Sequence, residues 1–272
     1  MTKELNPQAA QMADESMVRT LAAQAEAIWP QEAPLLARYG LRPGARALDA
    51  GCGTGEFAAR VLESFPGVEV LGVDVLDSSL DRARRRCAAF GARARFENRS
   101  LFQLGLSARS FDLVACRHVL QSIPRAEQAL AELVRVTRAG GWLHLIAEDY
   151  GMMHFPRGKL EPDDFWRHGP VEFGAATGTD LLIGRHVVPL LEALGLAEVR
   201  VDFVVVDTLR VPRDTFARIW EAWRDGYVEA LGQHTRFSAE GARAHFDEMI
   251  HTLRHTRDYA VWQVPVVSAR VP

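Results

Sequence analysis

Short apolar runs alternate with helical patterns from residue 46 to residue 147, and this alternation constrains the fold more than any other feature of the chain. Strands and helices that alternate through short turns are typical of a parallel sheet covered by helices on both faces. The sequence therefore predicts an α/β fold with a doubly wound, mostly parallel sheet. The predicted strands are 46–50, 68–73, 94–96, 111–116 and 142–147, and the predicted helices between them are 56–65, 78–90 and 125–138.

The segments that flank this core predict a cap and two insertions. Residues 1–40 have a helical pattern, which Pro30 is expected to break. Residues 150–180 are rich in Gly, Pro, Phe and charge without a clear period, which indicates an irregular lid. We expect one domain over 1–272, with a helical cap (1–40), a ligand-binding core (41–149), a lid insertion (150–180) and a helical insertion between the last two strands (213–257). The other predicted elements are helices at 181–194, 213–231 and 238–255 and strands at 199–206 and 259–267.

The composition of the chain argues against several classes of function. The formal net charge is -3, which argues against a nucleic-acid partner because nucleic-acid binders usually carry a strongly basic face. Only Lys3 and Lys159 are lysines, and Lys159 lacks the Ser or Thr that a P-loop places after its lysine. No apolar run approaches the 18 residues of a membrane span, and no apolar stretch follows the polar N-terminus. We expect a cytoplasmic protein without a membrane partner.

A glycine-rich turn between the first predicted strand and helix is the strongest local motif. Residues 49–55 read Asp-Ala-Gly-Cys-Gly-Thr-Gly, and Asp74 ends the second predicted strand about 20 residues further on. Glycines without a Cβ let a ligand approach the backbone beside a helix N-terminus. A carboxylate at the position of Asp74 can accept both hydroxyls of an adenosine ribose. The motif therefore predicts a cofactor that contains adenosine.

Asp49 and the glycine spacing help to choose between two such cofactors. The dinucleotide motif is G-x-G-x-x-G, whereas this chain has G-x-G-x-G with Asp49 two residues before the first glycine. A carboxylate is unfavourable beside a pyrophosphate but compatible with an amino acid that carries an ammonium group. The sequence therefore favours S-adenosyl-L-methionine (SAM) over NAD as the cofactor.

The glycine motif, Asp74 and the segment Phe-Asp-Leu-Val-Ala-Cys-Arg-His-Val-Leu at 111–120 together resemble the class I SAM-dependent methyltransferases, most closely the UbiE-like small-molecule group. The resemblance covers residues 40 to 150 well. It implies a seven-stranded sheet in which the last strand is antiparallel and lies between the fifth and sixth. It also implies that SAM supplies a methyl group to an O, N or activated C of a small organic molecule by in-line displacement.

The resemblance assigns cofactor contacts along the carboxyl edge of the sheet. It places Asp49, Gly51 and Gly53 at the methionine part of SAM and Asp74 at the ribose. Ser100 stands where the family often has an Asp that meets the adenine, so the adenine contact is less defined than the ribose contact. The candidate cofactor-binding residues are Asp49, Gly51, Cys52, Gly53, Asp74, Val75, Leu76, Ser100, Leu101, Arg117, Gln121 and Trp29.

Three residues after the fourth and fifth strands are candidates for catalysis. His118 follows the fourth strand and could act as a general base for a hydroxyl or amine acceptor. Glu148 and Tyr150 follow the fifth strand, at the edge where ligands of such sheets bind. A structural histidine and solvated acids are the alternative interpretations. No metal site is expected, because His154, Asp163, Asp164 and His168 fit no strong ligand spacing.

Aromatic residues in the two insertions are candidates for the wall of a substrate pocket. In the lid these are Phe155, Phe165 and Trp166, and in the late helices Trp220, Trp223 and Tyr227 recur at helical spacing. Packing within the lid and between helix and sheet is the alternative. Three other functions also stay open: a different displacement with SAM such as cyclisation or aminopropyl transfer, a SAM sensor without turnover, and an NAD-linked oxidoreductase. A homodimer through the N-terminal or late helices is open as well.

Overall fold

The computed structural model describes residues 7–272. Lys3 and the start of the predicted cap, residues 1–6, lie outside the described residues. Within 7–272, eight strands form one sheet in the order β3-β2-β1-β4-β5-β8, with β7 on the other edge of β8 and the short β6 beside the start of β8. The strands are β1 (Arg46–Ala50), β2 (Glu69–Asp74), β3 (Ala94–Asn98), β4 (Phe111–Arg117), β5 (Thr137–Ile146), β6 (Met153–His154), β7 (Ala197–Asp207) and β8 (Val261–Arg270).

The strand pairing confirms the predicted topology. β1 to β5 pair in parallel, and β8 runs antiparallel to both β5 and β7, between which it lies. The two-residue β6 was not expected and adds an eighth strand. The order of strands reverses direction between β1 and β4, which is the position where doubly wound sheets bind ligands at their carboxyl ends.

Nine helices in the described part of the chain cover the sheet and its carboxyl edge. Three begin with side-chain caps: Asp14 accepts a hydrogen bond from the Ser16 amide, Glu161 from the Asp163 amide and Ser238 from the Gly241 amide. The helices are α1 (Ala9–Ala13), α2 (Glu15–Ala37), α3 (Glu56–Ser64), α4 (Asp77–Arg86), α5 (Ala126–Val136), α6 (Pro162–Thr177), α7 (Val187–Ala193), α8 (Arg213–His234) and α9 (Ala239–His255). None of them combines the length and apolarity that crossing a bilayer requires.

Two local predictions were wrong. Helix α2 continues through Pro30 and Pro34, because the burial of Ile28, Leu35 and Leu36 offsets the hydrogen bonds that proline removes. The predicted irregular lid contains β6 and the 16-residue helix α6. Gly and Pro inside α6 hid its period, and its helical structure is stabilised by tertiary packing of its apolar side chains.

The hydrophobic core has three parts, and the third lies above the carboxyl edge of the sheet. Two of them sandwich the parallel strands, one around Leu62 and Leu113 and the other around Leu130 and Val114. The third is rich in aromatic side chains from α6, α8 and α9 and packs against Trp262 of β8. The aromatic cluster thus faces the ends of the strands that carry the candidate site.

Candidate active site at the carboxyl edge of the sheet

The glycine turn after β1 folds tightly against the neighbouring strands. Gly51 has φ +77°, and a Cβ at this position would lie 2.4 Å from Val119 Cγ2. The amides of Gly51 and Cys52 both donate to the carbonyl of Val73, at 2.8 and 2.9 Å. Only glycine fits here, because the backbone conformation and the contact with Val119 both exclude a side chain.

Asp74 lies at the end of β2 and is held by two backbone amides. Its Oδ2 accepts from the Gly53 amide at 2.9 Å, and its Oδ1 accepts from the Leu76 amide at 3.0 Å. Burial raises the pKa of Asp74, while these hydrogen bonds act in the opposite direction. The carboxylate therefore has a fixed orientation beside the glycine turn.

A cavity of 560 Å³ runs along the carboxyl ends of β1, β2, β4 and β5. We call it the main cavity. It brings together most of the predicted site residues. Those that line it are Gly51, Gly53, Asp74, Val75, Leu76, Ser100, Leu101, Arg117, Gln121, His118, Glu148 and Tyr150. Asp49 and Cys52 line an adjoining pocket of 30 Å³, here called the polar pocket, which shares Arg117 and His118 with the main cavity.

Trp29 is the one candidate cofactor residue that lines neither space. Its ring packs edge-to-face on Phe57, with 6.2 Å between the ring centres. The N-terminal helices instead contribute residues that the sequence did not single out for the site: Met12 from α1, and Thr20, Leu21 and Gln24 from α2. Met17 lines the main cavity as well. In the sequence, Met17 and Leu21 belong to an apolar helical pattern, which is typical of residues in a core rather than in a cavity wall.

Asp49 is a buried carboxylate with an unsatisfied oxygen. It is 2% exposed, and its Oδ2 has no hydrogen-bond partner in the described structure. Burial, together with the nearby carboxylates of Asp74 and Glu32, raises the pKa of Asp49 to about 7, although Arg117 opposes this effect. A positively charged group in the polar pocket would therefore be stabilised by Asp49.

Arg117 ends β4 and forms a bidentate ion pair with the fully buried Glu32 of α2. Its Nε and one terminal nitrogen donate to the two Glu32 oxygens at 2.7 and 2.8 Å. His144 Nε2 lies 2.9 Å from Glu32 Oε1. Burial alone would raise the pKa of Glu32, but Arg117 and His144 outweigh it and lower the pKa to about 2. Glu32, which the sequence analysis missed, therefore fixes Arg117 at the wall of both spaces.

His118 and Glu148 form a second buried pair, at the ends of β4 and β5. His118 has φ +56°, and its Nδ1 is hydrogen-bonded to Glu148 Oε1. His118 Nε2 and Glu148 Oε2 are buried without a partner. Gln24 Nε2 lies 3.5 Å from Glu148 Oε1. The arrangement leaves one histidine nitrogen free to exchange a proton with a ligand.

Tyr150 lies between this pair and a smaller space, which we call the aromatic chamber. The chamber has a volume of 50 Å³ and shares Gln121, Ser122, Tyr150, Trp223 and Tyr227 with the main cavity. The Tyr150 ring stacks on Trp166 and meets Trp223 edge-on. Burial, together with Glu148, raises the pKa of Tyr150 well above its usual value, so its phenol stays protonated.

Some of the aromatic residues proposed from the sequence line the aromatic chamber, and the others pack in the hydrophobic core. Phe165, Trp166, Trp223 and Tyr227 line the chamber. Phe155 and Trp220 do not line it, and their rings pack against each other at 5.3 Å. In the lid segment, His154 is exposed and His168 bonds to the Asp164 carbonyl.

Comparison with known proteins shows similarity to methyltransferases. Residues 47–141 match the family model described as "Methyltransferase domain". A demethylmenaquinone methyltransferase from Deinococcus radiodurans is 38% identical over 101 residues, which are 37% of this chain and 42% of that protein. A ubiquinone biosynthesis O-methyltransferase from Hahella chejuensis is 27% identical over 134 residues, covering 44% of this chain and 56% of that protein. The chain thus spans about half the length of these curated relatives.

A solved structure extends the likeness to most of the fold. Phosphoethanolamine N-methyltransferase 2 from Haemonchus contortus, in complex with SAM, is 20% identical with a TM-score of 0.57 over 90% of this chain and 53% of that chain. The fold class expected from the sequence is therefore confirmed. The chain has the fold of the SAM-dependent methyltransferases, and within it residues 47–141 match the methyltransferase-domain model.

Proposed function

We propose that this protein is an enzyme that binds SAM across the polar pocket and the main cavity and transfers its methyl group to an O, N or activated C of a small organic molecule. One observation carries the proposal. Asp49 and Asp74 lie at the ends of neighbouring strands beside the glycine turn, where Asp49 lines the polar pocket and Asp74 lines the adjoining main cavity. When bound, SAM supplies a methyl group on a positively charged sulfur, which an acceptor can displace in line. The similarity of residues 47–141 to methyltransferases supports this function.

The residues present fit the cofactor. The unsatisfied Oδ2 of Asp49 suits the ammonium of the methionine part, and Gly51 and Gly53 leave room beside it. We assign the ribose hydroxyls to Asp74, whose carboxylate is already oriented by backbone amides. We assign the adenine ring to the apolar side chains of Val75, Leu76 and Leu101 and to the Ser100 hydroxyl. At the methionine and substrate end, we assign contacts with SAM to Arg117, Cys52 and Gln121.

Trp29 is left out of this assignment. Its contact with Phe57 and its absence from the residues that line either space do not support a direct cofactor contact. Phe57 itself lines the polar pocket, and Arg117 lies over its ring at 4.9 Å. We therefore assign Trp29 a packing role behind the pocket.

We assign the general base to His118. As the acceptor oxygen or nitrogen forms its bond to the methyl carbon and the carbon–sulfur bond breaks, the acceptor proton moves to His118 Nε2. Glu148 holds Nδ1 and stabilises the positive charge that the ring acquires. Tyr150 remains a neutral phenol and orients the acceptor by donating a hydrogen bond. Exclusion of water and positioning of the acceptor supply the rest of the rate enhancement.

The alternatives of cyclisation, aminopropyl transfer and SAM sensing gain no support from the relatives named above. The small net charge of -3 favours a small-molecule partner over a nucleic acid. We propose that the enzyme is cytoplasmic. A homodimer is also proposed, and sedimentation at several protein concentrations would test it.

Calorimetric titration of the wild type and of Asp74→Ala with SAM, S-adenosylhomocysteine (SAH) and NAD tests the cofactor assignment. We expect SAM and SAH to bind the wild type and to bind Asp74→Ala at least tenfold more weakly. Mass spectrometry then identifies the product, because methyl transfer leaves SAH whereas cyclisation leaves methylthioadenosine. Binding of NAD alone, or methylthioadenosine as the product, would contradict the proposed function.

A further inference from the structure

None of the described residues that line the aromatic chamber carries a charge. Its wall is built from aromatic and aliphatic side chains of α6, α8 and α9, with Gln8, Gln121 and Ser122 as the polar members besides the two tyrosines. An isolated ionised group in such surroundings loses its hydration without gaining a counter-charge. The chamber therefore disfavours the charged portion of any ligand.

The nearest charged side chains around the main cavity already have partners. Arg117 is bound bidentately to Glu32, and Arg99 bonds to Glu97 and to the Leu104 carbonyl. His118 and Glu148 are bound to each other. A phosphate or carboxylate on the acceptor would thus find no free cation among the described residues that line these spaces.

Two buried amides give the chamber its polar specificity. Gln8 and Gln121 are 2% and 3% exposed. Gln8 Oε1 accepts from the Tyr227 hydroxyl at 3.1 Å, which leaves Gln8 Nε2 without a partner, and Gln121 Oε1 has none either. Buried polar groups of this kind are normally satisfied, so a ligand group is expected to complete them. One free donor and one free acceptor suit an uncharged polar group.

The geometry points to an uncharged methyl acceptor, with an apolar aromatic or aliphatic body in the aromatic chamber and a hydroxyl at His118. This inference rests on the proposed function and narrows its substrate class. An aromatic chamber can also bind a cation over its ring faces. Here, however, Tyr150 stacks against Trp166 at an angle of 7°, and Leu181 and Leu231 form part of the same wall. The facing sides of the Tyr150 and Trp166 rings are thus partly covered by each other, which favours a neutral body.

Three phenols of nearly the same shape test the inference on the 272-residue chain saturated with SAH. They are 4-ethylphenol, tyramine and 3-(4-hydroxyphenyl)propionate, whose side chains are neutral, cationic and anionic at pH 7. Binding is followed by calorimetry and by quenching of tryptophan fluorescence, since Trp166 and Trp223 line the chamber. We expect 4-ethylphenol to bind at least tenfold more tightly than either charged analogue.

The two proposals fail in distinguishable ways. If SAM and SAH do not bind, the proposed function is wrong. If SAH binds but 4-ethylphenol binds no better than the anion or the cation, or shows no binding at millimolar concentration, only the present inference is wrong. Preference for tyramine would identify the chamber as a cation-binding cage instead.

Gln121→Glu provides an independent check, with Gln121→Leu as its uncharged control. The carboxylate is expected to shift the ratio of tyramine to 4-ethylphenol affinity at least tenfold towards tyramine, whereas leucine leaves this ratio near the wild-type value. Both variants are first tested for cooperative unfolding and for SAH binding. A folded Gln121→Glu variant that binds SAH with wild-type charge selectivity would contradict the inference.

Discussion

Nδ1 of His118 is hydrogen-bonded to Oε1 of Glu148, and this pair joins the carboxyl ends of β4 and β5 inside the main cavity. The hydrogen bond fixes the imidazole ring and directs the other nitrogen, Nε2, away from Glu148. That nitrogen is buried without a partner in the described structure. A histidine whose one nitrogen is held by a carboxylate can take up a proton at the other.

Replacement of His118 by Asn is expected to lower kcat for a hydroxyl acceptor by roughly 10²- to 10⁴-fold, the usual contribution of a general base. Asn is the appropriate substitute because it tolerates the φ of +56° at this position better than most residues. The rate of SAH formation is measured by mass spectrometry, and SAH affinity by calorimetry. His251→Asn, at an exposed position on α9, is the matched control and should leave kcat unchanged.

A kcat for His118→Asn close to that of the wild type would show that positioning alone carries the reaction. Parallel loss of SAH binding would assign His118 to the cofactor site instead.

Glu148→Gln is expected to lower kcat less than His118→Asn does, because the amide still contacts the ring but no longer stabilises its positive charge. Groups that act as a unit are strongly non-additive in kinetics. The double variant should therefore be about as slow as His118→Asn alone. Multiplication of the two separate effects in the double variant would show that Glu148 acts independently of His118.

The fold was largely predictable from local patterns. β1, β2 and β4 are apolar runs that end at turns or polar residues, so their boundaries are visible in the sequence. α6 was not predictable, because Gly169 and Pro170 interrupt its period and its packing partners lie on α8 and α9. Local propensity is a weak guide where tertiary packing stabilises the element.

Most of the candidate site at the strand ends was predictable from the sequence, but the contacts between its residues and the contributions of α1 and α2 were not. His118 and Glu148 each follow a strand, so both were expected at the ligand edge, but their pairing depends on the register of β4 and β5. Glu32 was missed because an acid beside Pro30 in a helix resembles a solvated position. Only the packing of α2 on the sheet shows that Glu32 is fully buried against Arg117.

Cofactor affinity should depend on pH through Asp49. Its pKa is raised to about 7 in the free protein, so the carboxylate becomes charged as the pH rises through 7. SAH affinity is therefore expected to increase between pH 6 and pH 7.5, by at most about tenfold per pH unit below the pKa. Asp49→Asn should bind SAH more weakly and with little dependence on pH in this range. Calorimetry at each pH measures both, and the same slope in Asp49→Asn would exclude Asp49 as the titrating group.

Glu32→Gln is expected to destabilise the protein by about 3–5 kcal/mol, because it leaves the Arg117 guanidinium buried without its counter-charge. Urea unfolding at pH 7 measures the change in free energy. Asp202→Asn, which removes the partner of the exposed Arg38, is the control and should cost roughly 0–1 kcal/mol. Equal costs for the two variants would show that the buried pair contributes no more than a surface ion pair.

The buried ion pair between Glu32 and Arg117 should make the stability of the wild type sensitive to acid. The pKa of Glu32 is lowered from 4.5 to about 2, so its stabilisation is complete above pH 4.5 and is lost as the pH falls towards 2. A shift of this size corresponds to about 3 kcal/mol. Urea unfolding between pH 5 and pH 3 should show a smaller loss of stability in Glu32→Gln than in the wild type. An identical loss in both proteins would assign the acid sensitivity to other carboxylates.

Gly51→Ala tests whether glycine is needed after β1 because of its positive φ or because of its contact with Val119. Gly51 and Gly44 both have positive φ, +77° and +86°, but an added Cβ meets Val119 Cγ2 at 2.4 Å only at Gly51, while nothing lies within 4 Å at Gly44. Gly44→Ala should therefore cost only the backbone strain, about 1–2 kcal/mol, and keep SAH binding. Gly51→Ala should cost more in urea unfolding and weaken SAH binding at least tenfold, because Val119 and the turn must separate. If both variants lose equal stability and retain SAH binding, the contact between Gly51 and Val119 does not shape the cofactor site.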